Sequence, residues 1–151
     1  MKITRKIIFA VLLGVLACAC THNNGDIGHW YGQWKLESIE ADGSPVADYE
    51  GNMFWAFQNK VFCIDKVIDD GLSHVMRWAT WSQDGNTLLI DFRHSDGFSP
   101  TTDNDYHPFP ILGMESDAVN ALTIETLSSG RLVQKYDAGD KLYTYRLRKW
   151  G

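Results

Sequence analysis

Residues 141–149 read Lys141-Leu142-Tyr143-Thr144-Tyr145-Arg146-Leu147-Arg148-Lys149. Side chains of an extended chain alternate between two faces, so Tyr143, Tyr145 and Leu147 share one face and Thr144, Arg146 and Arg148 the other. An apolar face backed by a polar one marks an antiparallel sheet with one side in water. The same rhythm recurs upstream. Leu88, Ile90 and Phe92 stand opposite Asp91, and Leu122 and Ile124 stand opposite Thr123 and Glu125. Between these runs lie turn signals: Asn59-Lys60, Asp70-Gly71, Asp84-Gly85-Asn86, Ser129-Gly130 and Ala138-Gly139-Asp140. Asp-Gly between alternating runs is a strong hairpin cue.

Strands are predicted over 30–40, 52–58, 61–68, 73–82, 87–92, 108–114, 120–127, 131–136 and 141–149. The fold class is therefore all-β. About eight strands joined by tight turns predict an up-and-down antiparallel barrel, which closes and leaves no edge; a two-sheet β-sandwich is the alternative. Composition agrees. Aromatic residues make up 13% of the 151 residues, and rings of that size suit pleated, half-buried surfaces. The stretch 94–110 (HSDGFSPTTDNDYHPFP) breaks the rhythm, and a loop of that length belongs at a barrel mouth.

The chain begins differently. Lys2, Arg5 and Lys6 precede an uncharged apolar run over 7–17, too short to span a bilayer comfortably and followed by small residues. That exit, Val15-Leu16-Ala17-Cys18-Ala19-Cys20, resembles the lipobox of bacterial lipoproteins, in which the cysteine after a small residue becomes the first residue and is acylated. Both Cys18 and Cys20 fit as the lipidated residue, with Leu16 slightly favouring Cys18. The expected organisation is a signal peptide over 1–19, a polar Gly/Asn-rich tether over 20–28 and one domain over 29–151. The resemblance implies a protein of the bacterial cell envelope, lipid-anchored to a membrane.

Charge limits the partners. Without the signal the chain carries 11 basic and 19 acidic residues, a net charge of −8. Nucleic acid is excluded as an expected partner, because its binding depends on Lys and Arg neutralising phosphates. Anionic lipid headgroups would repel the same surface, so the anchor must supply membrane attachment.

The domain opens on His29-Trp30-Tyr31-Gly32-Gln33-Trp34-Lys35-Leu36, and Gly32-x-Trp34 resembles the Gly-x-Trp motif of lipocalins and the wider calycin group. The last strand is similar to theirs, in which a basic side chain packs across the first-strand Trp and closes the barrel; Arg146 and Arg148 both fit that role. No second lipocalin motif and no helix after the last strand is evident. The resemblance implies a small apolar or amphipathic molecule bound in the barrel, lined by Trp55, Phe57, Met76, Trp78, Tyr143 and Tyr145, with Met76 and Trp78 inward and Arg77 outward. The other reading is a barrel filled by its own rings. The protein would then be an envelope interaction module docking a protein or glycan through its surface or the 94–110 loop.

No catalytic motif is present: there is no Gly-x-Ser-x-Gly, phosphate-binding loop, His-Glu-x-x-His or Cys-x-x-Cys. Neither an enzyme nor a cofactor is expected. His94, Asp96, Asp103, Asp105 and His107 are metal-ligating residue types, but their spacing matches no metal pattern, so they read as a solvated loop. Cys63, the one cysteine within the domain, reads as a buried structural thiol.

Overall fold

The computed structural model describes residues 27–93 and 106–151. Nine strands follow a short 3-10 turn at Gly28–Trp30: β1 Gly32–Ala41, β2 Ser44–Pro45, β3 Met53–Gln58, β4 Val61–Ile68, β5 Ser73–Asp84, β6 Thr87–Asp91, β7 Val119–Leu127, β8 Arg131–Asp137 and β9 Leu142–Trp150. All pair antiparallel with their neighbours, and β9 returns to pair with β1. The result is a closed eight-stranded barrel with the two-residue β2 attached to β1. Closure removes the unpaired strand edges that a sandwich would leave.

Burial follows the alternation of the sequence. Met53, Trp55 and Phe57 of β3 are buried, and so are Leu88 and Ile90 of β6 and Asn120, Leu122 and Ile124 of β7. Each large apolar side chain taken from water contributes about 1.5–3 kcal/mol, so this inner face is the main source of stability. Two bulges adjust the phase. Register shifts between Leu36 and Ser38, which leaves Glu37 outside and turns Trp34, Leu36 and Ile39 all inward. A second shift between Ile124 and Thr126 brings Leu127 opposite Leu132. An extra residue reverses the inside–outside parity beyond it.

Segment 108–114 differs from the strand expected there. Phe109 leads into a 3-10 turn at Pro110–Leu112, and Phe109, Leu112 and Met114 are buried in the core. Prolines 108 and 110 have no N–H to give a ladder, so the segment cannot pair as a strand. It lies at the barrel end that also carries the β4–β5 and β8–β9 turns. The opposite end receives the entering chain and the β3–β4, β5–β6 and β7–β8 turns.

Candidate functional site

The end where the chain enters is sealed. Gly32 has φ +104, a left-handed conformation that glycine adopts without strain, and an added Cβ would meet Lys149 Nζ at 3.6 Å. Trp34 is fully buried and donates its indole N–H to the Trp30 carbonyl at 3.1 Å. Trp30, Phe57 and Trp81 pack ring against ring with centroids 4.8–5.4 Å apart. The cation over Trp34 is neither Arg146 nor Arg148 but Lys149, with Nζ 4.1 Å from the ring centroid. Its ammonium also donates to the His29 carbonyl at 2.9 Å and to the Tyr31 carbonyl, and partial burial lowers its pKa.

The correction follows from parity. Tyr145 and Leu147 point inward, so Lys149 does too, whereas Arg146 and Arg148 point out to Glu40 at 3.5 Å and Glu37 at 2.8 Å. The sequence already contained this signal, since both arginines alternate with the apolar face.

Of the residues expected to line a ligand site, Trp55, Phe57 and Tyr145 face the interior and are buried, and Tyr143 is half-buried beside the 109–114 segment. Met76 and Trp78 do not face inward. They pair with Asp65 and Cys63, and are 42% and 38% exposed on the outer wall. Arg77 is the inward residue instead, paired with the fully buried Ile64. A short run such as Val75-Met76-Arg77-Trp78 carries apolar residues in both phases, so alternation alone does not choose between them.

The interior also holds a polar group that sequence reasoning passed over. Gln134 is 0% exposed, and neither its amide oxygen nor its amide nitrogen has a hydrogen-bond partner. It pairs with Ile124 on one side and Tyr145 on the other. The Trp55 ring lies 5.2 Å from the Tyr145 ring, and the Trp55 indole N–H is likewise buried without an acceptor. A signal for Gln134 existed: it occupies the inward phase between Leu132 and Tyr136.

The far end is capped by 109–114. Burial raises the Tyr145 hydroxyl pKa well above its usual value, and that hydroxyl donates to the Leu112 carbonyl. Asn120, 1% exposed, accepts from the Tyr136 hydroxyl at 2.9 Å and the Glu115 N–H at 2.7 Å, and donates to the Glu115 carbonyl at 2.9 Å. Gly113 has φ +68, and an added Cβ would lie 2.3 Å from the Tyr143 ring. Lys66 and Arg77 reach Phe109 from the inner wall, at 5.8 and 4.9 Å from its ring centroid.

A separate cleft of about 690 Å³ lies outside the wall, between the 3-10 turn at Gly28–Trp30, the Asn59-Lys60 turn and the outward residues Thr80, Ser82 and Leu89. Cys18, Cys20, His94, Asp96, Asp103 and Asp105 lie outside the described residues. His107 is exposed, with Nδ1 2.9 Å from Ser116 Oγ, and among the described residues no three His, Cys, Asp or Glu come together around a possible metal. Buried Cys63 has its thiol pKa pushed up to about 12 by burial and then by Asp65.

Known proteins can be set beside this geometry. A lipocalin-like protein from Bacteroides uniformis ATCC 8492 is 20% identical with a TM-score of 0.61, over 82% of this chain and 100% of that one. An uncharacterized protein from Bacteroides eggerthii DSM 20697 is 17% identical with a TM-score of 0.59, over 80% and 99%. At such identities the likeness establishes the fold. No curated protein matches the chain. The family model described as a lipocalin-like domain matches residues 13–149. With its closed barrel, its Gly32/Trp34 opening and a cation across Trp34, the chain belongs to the lipocalin-like domain family.

Proposed function

We propose that this protein binds a small amphipathic molecule inside its barrel, held to a membrane of the bacterial envelope by lipid on Cys18 or Cys20. The observation that carries the binding reading is Gln134. A buried amide with no partner costs about 1–3 kcal/mol for each unsatisfied group, and native interiors rarely keep one without a use. Here the amide is paired across the ladder with Tyr145, whose ring packs against Trp55, amid apolar walls. A few polar groups in an apolar chamber are what a small-molecule site requires. Lipocalin-like folds generally bind small hydrophobic ligands, and this interior fits such a ligand with a polar end. The ring packing around Trp30, Phe57 and Trp81 fills the sealed end, which supports a site towards the 109–114 end.

Native mass spectrometry of the purified protein, before and after incubation with extracted envelope lipids, tests the reading. A discrete added mass that disappears in a Gln134→Leu, Trp55→Phe variant is expected. Protein mass alone under all conditions counts against it.

A further inference from the structure

We propose that the molecule held in the barrel is an amphipathic anion whose charged group is read by Lys66 and Arg77; this rests on the binding reading above and names its ligand class. Strand register sets the geometry. Trp55, Ile64 and Arg77 form one row across β3, β4 and β5, and Met53, Lys66 and Val75 form the next. Trp55, Ile64 and Met53 are buried inner-wall residues, so both cations rise from that wall. Lys66 Nζ and the Arg77 guanidinium then converge on Phe109, under the capping segment.

Elsewhere some of the cations lie against acids. Among the described residues Arg93, Lys135, Arg146 and Arg148 each lie within 4.0 Å of a carboxylate. Lys66 and Arg77 both lie against the Phe109 ring instead, and the one side-chain hydrogen bond of Arg77 among the described residues is a 3.4 Å contact to the Met76 carbonyl. A cation over a phenyl face gains less than one paired with a carboxylate in a partly desolvated site.

The inner wall is electrostatically one-sided. By register its cations are Lys66, Arg77 and Lys149, while Glu37, Glu40, Asp65, Asp84, Asp91 and Asp137 of the described strands all take the outward phase. Lys149 is already engaged with carbonyls at the sealed end. The two cations at the capped end therefore make a positive inner face behind a negative exterior. Trp55 Nε1–H and the Gln134 amide N–H are further buried donors without an acceptor on the inner wall. An apolar tail among the rings with one anionic group under Phe109 satisfies all of these at once.

Decanoate and 1-decanol, which share a ten-carbon chain and differ in charge, separate the possibilities by titration calorimetry at pH 8. The wild-type protein should bind decanoate at least about tenfold more tightly than decanol. Lys66→Gln/Arg77→Gln should lose that preference and keep decanol affinity within about twofold, while Arg77→Lys, which keeps the charge, should retain most of it. Circular dichroism checks each variant's fold, and the single Lys66→Gln carries the same comparison if the double variant does not fold. Equal affinity for both probes, or a preference that survives the double variant, overturns the anion assignment and leaves barrel binding standing. If neither probe binds, both readings fall.

Discussion

On the binding reading proposed above, Gln134 is the side chain that makes the barrel interior receptive. Replacing it with leucine removes two unpartnered polar atoms from an apolar interior at similar volume. Without ligand, Gln134→Leu should raise unfolding stability by about 1–2 kcal/mol in urea titrations, and it should weaken ligand binding. A drop in stability with unchanged binding would show that the amide serves the fold alone. Cys63 makes a second prediction at this scale. The thiolate is the nucleophile, and a thiol pKa of about 12 leaves almost none at pH 8. Iodoacetamide at pH 8 should leave Cys63 unmodified in the native protein and alkylate it after unfolding in urea, as mass spectrometry reads directly. Its structural role was legible from Phe62-Cys63-Ile64; the inward phase of Gln134 was legible between Leu132 and Tyr136, but its lack of a partner was not, because that depends on what the facing strands bring opposite it.

Two elements carry the ends of the barrel. Segment 109–114 holds the capped end through the Leu112 carbonyl, the Asn120 amide and the close passage of Gly113 over Tyr143. Gly113→Ala meets both a left-handed backbone and a ring at 2.3 Å. The backbone alone costs about 1–2 kcal/mol, and relief of the ring contact must displace the cap. We expect that loss in chemical denaturation, together with faster hydrogen exchange in 109–115 than in β3 or β4. At the sealed end, β9 meets β1 through Lys149. Lys149→Met keeps an apolar stem over Trp34 but loses the charged donor to two backbone carbonyls, and should cost about 1.5–3 kcal/mol in urea titrations. Arg146→Met and Arg148→Met break only exposed pairs and should cost under about 1 kcal/mol each. Equal losses at all three positions would deny Lys149 its closing role.

For the whole molecule, charge and attachment belong together. Residues 20–151 carry a net charge of −8, which anionic bilayers repel, so on the proposed lipid anchoring membrane retention should follow the anchor alone. Radiolabelled palmitate should enter the full chain, and one of Cys18→Ser and Cys20→Ser should abolish both labelling and pelleting with membranes. Pelleting that survives loss of both cysteines would require another attachment.

The sequence by itself determined the all-β class, most of the strands and turns, and the inner and outer faces of the strands with clean alternation, because alternation and turn chemistry are local properties of a few residues. Its Gly32/Trp34 motif also pointed to the right family. Only tertiary structure decided that the Lys149 ammonium reaches across Trp34 to His29 and Tyr31, that Met76 and Trp78 face out, that 109–114 caps the barrel, and that Lys66 and Arg77 meet over Phe109. Those outcomes depend on register, on the phase shift at Glu37, and on contacts such as Lys149 to His29 across 120 residues of chain. Such contacts exist only once the last strand has found the first, and no local pattern encodes them.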